Sequence, residues 1–410
     1  MNEHDAFVLN VAQWLDEEAE RGALRYLDET LERTARTRQR PAWSSLERWL
    51  PVQTTLRLVP VPRAAWLLLI LGLVVAIGAA VIAVGSQARR PPPFGPAGNG
   101  SIVYGTADGD IYAYDTVTGT SKPLIAGNTH DERPDFAPDG SSFVFARQTE
   151  DPSRWTLMLA AADGSNIRAL TPPIDPSLNA WSGDSSRLAV VGEATAAPKL
   201  TIYRLDGTAP VDLPAAGMSI DRLSWRSSTE LVFRGRTGAT FGLYAISTDG
   251  TAPRALLPTT SIETDWIEPV MAPDGGRIAW TKWVEGPVIH VLDIETGLVT
   301  TPVFAGSNLG DGWPTAFSPD GTSMVFSRWD GEKNHLAVGP VSGGRAVETG
   351  PGYDDFTNGA NGQFSPDGTK IIARYGFDPE ATWLLDPAGG EGDRVLTGVD
   401  QLATWQRIAP

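Results

Sequence analysis

Phe317-Ser318-Pro319-Asp320-Gly321 recurs along this 410-residue chain, with near-copies at Phe136-Ala137-Pro138-Asp139-Gly140, Met271-Ala272-Pro273-Asp274-Gly275 and Phe364-Ser365-Pro366-Asp367-Gly368. Eroded copies stand at Trp181-Ser182-Gly183-Asp184 and Trp225-Arg226-Ser227-Ser228, and Trp405 is a bare anchor. The anchors Phe136, Trp181, Trp225, Met271, Phe317, Phe364 and Trp405 are separated by steps of 45, 44, 46, 46, 47 and 41. A period in the low-to-mid forties predicts a β-propeller with one four-stranded blade per repeat.

Each repeat can be laid out as four strands. The innermost leads into the Pro-Asp-Gly turn, as in Trp313–Phe317; a short apolar strand follows, such as Ser323–Ser327. The third alternates, as in Leu243–Ile246 before Thr248-Asp249-Gly250, and the last resembles Arg254–Leu257. Pro presets φ, Asp bonds its own backbone and Gly accepts φ > 0, so the repeated aspartates are read as turn formers, not catalysts.

Counting strands predicts how the ring shuts. Sets of three outer strands begin near Ser101, Ser141, Arg187, Glu230, Arg277, Ser323 and Lys370, and an inner strand precedes each of the seven anchors. The first set lacks an inner strand and the last inner strand, Asp400–Gln406, lacks a set. They complete each other, giving an all-β, seven-bladed propeller over 101–408 sealed by the C-terminal strand. Six blades is the alternative, if one weak repeat is not a blade.

Phe-Ser-Pro-Asp-Gly-Thr-Lys-Ile-Ile-Ala at 364–373 resembles the WD40-like repeat of TolB-type propellers, as do Phe136–Ala146, Met271–Trp280 and Phe317–Ser327. The resemblance covers about 100–408. It implies a binding platform on the outer side of a bacterial membrane, and no catalytic residues, since the family motif is a turn. The best-known member has six blades and an added α/β domain, for which this chain has no room.

The run AAWLLLILGLVVAIGAAVIAV, Ala64–Val84, holds 21 uncharged residues and reads as a transmembrane helix, assigned to 64–85. More than sixty residues precede it, which separates it from a cleaved signal peptide. Arg48, Arg57 and Arg63 on its amino side outweigh Arg89 and Arg90 beyond it, which predicts a cytoplasmic N-terminus and an exported propeller. Trp43, Leu46, Trp49 and Leu50 make 41–63 a juxtamembrane amphipathic segment, Trp66 sits at the entry of the span with its indole at the headgroups, and Pro91-Pro92-Pro93 stiffens a stalk over 86–100.

Residues 1–40 read as a helical cytoplasmic region, with apolar stripes (Phe7, Val11, Trp14, Leu15; Leu24, Leu27, Leu31) too short for a core of their own. Residues 5–38 would therefore pack as a hairpin, dimerise or bind a cytoplasmic partner; an inert anchor is the bland reading. The layout of helical segment, single span and outer domain resembles bacterial anti-sigma factors, many of which carry a His/Cys zinc motif. This chain has His4 but no cysteine, so that motif is absent.

The net charge is −16, and the region after residue 85 alone holds 24 basic and 39 acidic groups, which argues against nucleic acid. The lack of cysteine excludes disulfides, zinc–thiolate sites and cysteine nucleophiles. No G-x-S-x-G elbow occurs, His130, His290 and His335 are isolated, and Asp108-Gly109-Asp110 lacks the further ligands of a calcium loop. No cofactor or metal is expected, and no catalytic residue.

One pattern goes beyond turns. Asp131, Asp175, Asp221, Asp265, Asp311, Asp355 and Asp400 stand four to nine residues before the anchors. Inner strands line the channel, so these carboxylates could ring one mouth and attract a cation or basic peptide, with Trp266 and Trp313 adding stacking surface. The plainer reading leaves them as loop residues at strand starts. The expected function is recognition of a protein or peptide partner in the cell envelope, with signalling inward. The alternatives are an anti-sigma-like regulator and a propeller lyase or hydrolase.

Overall fold

A computed structural model of the chain describes residues 94–193, 199–215, 217–238, 240–257, 260–261, 269–283, 285–305, 311–329, 332–353, 360–375, 381–399 and 403–409. The helical, juxtamembrane and transmembrane expectations over 1–85 lie outside the described residues. Among the described residues no helix is long and apolar enough to cross a membrane.

The described residues form seven radial sheets, each built on a path of four antiparallel strands, and a small parallel pair of Phe304–Ala305 with Gly344–Arg345. Blade 2 is representative: an inner strand Asp131–Phe136, then Ser142–Gln148, Trp155–Ala161 and the short outer strand Arg168–Ala169. The inner strands of blades 3 to 7 are Asp175–Trp181, Ser219–Trp225, Val270–Met271, Asp311–Phe317 and Asn361–Phe364. Blade 4 gains a fifth strand, Thr260–Ser261, on Thr240–Ser247.

Blade 1 is made from both ends of the described chain. Its outer strands are Gly98–Gly105, Ile111–Asp115 and Thr120–Ile125, and its inner strand is the C-terminal Thr404–Ile408. Gly98 pairs with Ile408 and Ile102 with Trp405, across a bulge. The seven-bladed reading and its C-terminal closure hold; the six-bladed alternative does not. The first strand begins at Gly98, three residues ahead of its expected start at Ser101, because Gly98 and Asn99 pair with Ile408 and Arg407 beyond the bulge.

Period-two alternation explains why the ring coheres. On the second strand of blade 2, Phe143 and Phe145 pack toward blade 1, while Val144 and Ala146 pack toward blade 3. Each of the seven apolar clusters of the described residues spans one junction between consecutive blades, including blade 7 to blade 1 (Ile372, Leu396 and Val399 against Ile102, Tyr114 and Trp405). Every sheet thus buries both faces, so the middle strands read as continuous apolar runs.

The Pro-Asp-Gly elements are turns at one end of the inner strands. Asp320 Oδ1 accepts from the Thr322 amide at 3.0 Å and the Ser318 hydroxyl at 2.6 Å, and Asp367 does the same with Thr369 and Ser365. Ser185 occupies the glycine position of the eroded blade-3 copy at φ 59, beside φ 65 for Gly140 and 69 for Gly275. Its hydroxyl repays that strain in part by accepting the Asp139 amide of blade 2 at 3.0 Å.

Candidate functional site

The seven anchors converge. Phe136, Trp181, Trp225, Met271, Phe317, Phe364 and Trp405 all line one cavity of about 570 Å³ on the ring axis, at the turn end of the inner strands. Side chains stitch the inner strands where no ladder exists. Trp181 Nε1 donates to the Asp135 carbonyl at 3.2 Å, and Trp225 Nε1 to Ala180 at 3.0 Å. Thr315 Oγ1 donates to the Gly362 carbonyl at 2.9 Å, and Thr404 Oγ1 to Pro134 at 3.3 Å.

Two ionisable side chains of the described residues lie on this wall, Asp135 and Arg407. Arg407 donates to the carbonyls of Pro138 at 3.0 Å and Gly95 at 2.8 Å, and burial holds its guanidinium below the ordinary arginine value. Asp135 accepts from Asn179 Nδ2 of blade 3 at 3.0 Å. Burial outweighs that hydrogen bond and pushes the carboxyl up to about 6.

The chain enters the ring at the same mouth. The Phe94 ring also lines the cavity, beside Gly183, where a Cβ would fall 2.5 Å from its Cζ. The Ala97 amide donates to the Pro366 carbonyl at 2.8 Å, so this entering segment is fastened to blade 7 as well as to Arg407.

The upstream aspartates lie toward the other end of the inner strands. Asp131, Asp175 and Asp311 are first residues of theirs, and Asp221 is third in Ser219–Trp225. Asp131 is 1% exposed; Arg147 Nε and Nη2 donate to its two oxygens at 2.7 and 2.8 Å, and Thr129 adds a hydroxyl at 3.0 Å. That bidentate contact also raises the Arg147 pKa. Arg234 grips Asp221 in the same two-pronged way. Asp175 is exposed and stands opposite Glu193 in the ladder.

The backbone of Asp311 stands opposite Arg328. Trp313 is half-buried, its amide donating to Ser327 Oγ at 3.0 Å. Asp265, Trp266, Asp355 and Asp400 lie outside the described residues. At the described part of this mouth, guanidinium groups thus already meet the carboxylates of Asp131 and Asp221. Among the described residues no group of three or more His, Asp or Glu is arranged as metal ligands.

The reading of the sequence passed over Asp135. Its signal lies in the column immediately before the anchors, where the other blades carry Ala180, Ser224, Val270, Ala316, Gln363 and Thr404. Only blade 2 places a charge there.

No protein-family model and no curated protein matches the chain. Among solved structures it is similar to an oligogalacturonate lyase in complex with manganese, with TM-score 0.53 and 15% identity over 73% of this chain and 94% of that one. It is also similar to a prolyl endopeptidase, with TM-score 0.54 and 11% identity over 78% of this chain and 50% of that one. TolB from Acinetobacter baumannii aligns with TM-score 0.47 and 16% identity, over 74% and 81% of the two chains. At these identities the likeness shows the β-propeller fold alone, a fold shared by enzymes and non-enzymes.

Proposed function

We propose that this protein is a membrane-anchored binding platform. Its propeller, tethered through 64–85 on the outer side of a bacterial membrane, recognises a protein or peptide partner of the cell envelope through the central channel. The cytoplasmic helices at 5–38 carry the signal inward by engaging a partner of their own.

The observation that carries this reading is the channel wall. Every blade contributes its anchor to one cavity of about 570 Å³, within the size range of ligand sites. Trp181 and Phe94 supply apolar contact area, and a few hydroxyls and amides (Ser224, Thr315, Asn361, Gln363) can fix orientation. The arginine excess before residue 64 supports the topology, and the TolB-like repeats support the envelope setting.

The test is a photo-crosslinking side chain introduced at Gln363, on the channel wall, and separately at Val117, which is 91% exposed in blade 1. With the full chain in its native membrane, Gln363 should give one dominant, competable protein adduct and Val117 should not. No adduct from Gln363, or the same adducts from both positions, would overturn the reading.

A further inference from the structure

We infer that the turn-side cavity of the channel is a site for a single cationic group, an ammonium or guanidinium, with Asp135 as its counter-ion and Trp181 and Phe94 on its wall. This rests on the reading of the channel as a binding site and names the chemistry it selects.

Charge comes first. Asp135 and Arg407 are the ionisable side chains that the described residues present to the cavity. Arg407 forms no ion pair with Asp135 among the described residues; its Nε and Nη2 are directed to the carbonyls of Pro138 and Gly95. Asp135 has a single neutral donor, Asn179 Nδ2, on Oδ2. Its Oδ1 has no hydrogen-bond donor among the described residues, and the residue lines the cavity. A carboxylate held inside a protein without a cation costs stability, and such departures from good packing gather where function needs them.

The walls come second. Phe94, which is exposed, and Trp181, which is half-buried, line the same space, while Phe136, Phe317, Phe364 and Trp405 reach it from the cores between blades. Aromatic faces attract cations and give little to anions. An ammonium entering here exchanges water for one carboxylate, the rings of Trp181 and Phe94, and nearby hydroxyl or amide oxygens of Ser224 and Gln363. An anionic ligand would meet Asp135, while the cation that the described residues present to the cavity, Arg407, is directed to carbonyl oxygens, so the cavity selects by sign as well as by shape.

Position comes third. In the column before the anchors the other six blades carry uncharged residues, so the negative charge lies off-axis, on the blade 2 side of a seven-fold wall. Such asymmetry suits one cationic group better than a polycation, which would ask for charge around the ring.

The test uses the purified full chain in detergent and three side-chain mimics: N-acetyl-lysine amide, N-acetyl-arginine amide and the neutral N-acetyl-norleucine amide, with putrescine as a free diamine. Binding is read by calorimetry and by fluorescence of the channel tryptophans. The lysine or arginine mimic should bind saturably, at least about tenfold more tightly than norleucine, the difference expected for one charge-assisted contact. Asp135→Asn should abolish that preference, while Asp131→Asn, at the other end of the inner strand, should leave it intact.

Tighter binding of an amide mimic than of putrescine points to a peptide side chain; the reverse points to a free amine; either supports the site. No saturable binding of any cationic probe up to 10 mM, equal binding of norleucine, or an unchanged preference in Asp135→Asn would overturn it. Failure here with a crosslinked adduct at Gln363 would leave partner recognition standing without a cation. Success here without an adduct would leave a small-molecule site.

Discussion

The turn glycines have two separable jobs, and substituting them one at a time measures each. Gly140 and Gly368 hold the same place in two Pro-Asp-Gly turns, at φ 65 and 77. Alanine at either must adopt a left-handed backbone, at roughly 1–2 kcal/mol. Around Gly368 a Cβ would meet only Pro319 Cδ, at 3.5 Å, which is ordinary contact. Around Gly140 it would fall 1.7 Å from the Arg407 carbonyl oxygen of the closing strand. One of the two must retreat by more than 1 Å, a distance that breaks the Gln406 to Gly140 hydrogen bond of 2.9 Å and the Arg407 to Pro138 bond of 3.0 Å.

Two such bonds contribute about 1–3 kcal/mol, so Gly140→Ala should cost roughly 2–5 kcal/mol against about 1–2 for Gly368→Ala. Gly275→Ala, whose Cβ would lie 2.0 Å from the Arg226 carbonyl oxygen, should behave like Gly140→Ala. Urea titration followed by tryptophan fluorescence reads the midpoints at constant slope. If Gly140→Ala and Gly368→Ala shift the midpoint equally, close approach of neighbouring blades is not what reserves the position for glycine.

Arg147→Met should destabilise by about 3–5 kcal/mol, since it strands the Asp131 carboxylate inside the protein, and the double variant with Asp131→Asn should recover most of the loss in a thermal melt. Asp135 has a folded pKa raised above its unfolded value, so its penalty is absent below about pH 4 and fully present above pH 6. Asp135→Asn should therefore stabilise by about 1–3 kcal/mol at pH 8 and by nothing at pH 4; a gain independent of pH would refute the assignment. The turn carboxylates of Asp320 and Asp367 are held below the ordinary range by their Ser and Thr donors, so their stabilisation is complete above about pH 4. It is lost as pH falls through the folded values, which urea midpoints between pH 5 and 2 would follow. Deleting 404–410 exposes the strand Gly98–Gly105 as a free edge, and light scattering should show self-association absent from the intact chain.

Much of the fold was legible because a propeller writes its repeat into the sequence twice, as an anchor and as a turn. Phe317 and its Pro319-Asp320-Gly321 locate the end of one strand and the start of the next, and counting such pairs leaves Trp405 and Ser101 to find each other. What escaped was anything set by the register of neighbouring strands. Asp131 and Arg147 are sixteen residues apart in the sequence and opposite in the ladder, so the carboxylate looked unattached until register was known. The charge of Asp135 was hidden for another reason: it sits in a column that is neutral elsewhere, and a period search rewards what repeats. A site carried by one blade of seven is a departure from the pattern that reveals the fold.

The pairing of Ser101 with Gln406, 305 residues apart, has a bearing on how the molecule comes to exist. During synthesis the first three strands of blade 1 emerge before the other six blades and wait for their fourth until all six have been made. For that interval an unpaired edge and half of two junctions stand open, and the strand Thr404–Ile408 decides whether the ring locks. Stops that remove Thr404–Ile408 should therefore act on yield and solubility far more strongly than the few residues lost suggest. The strand that completes blade 1 is the clasp of the necklace.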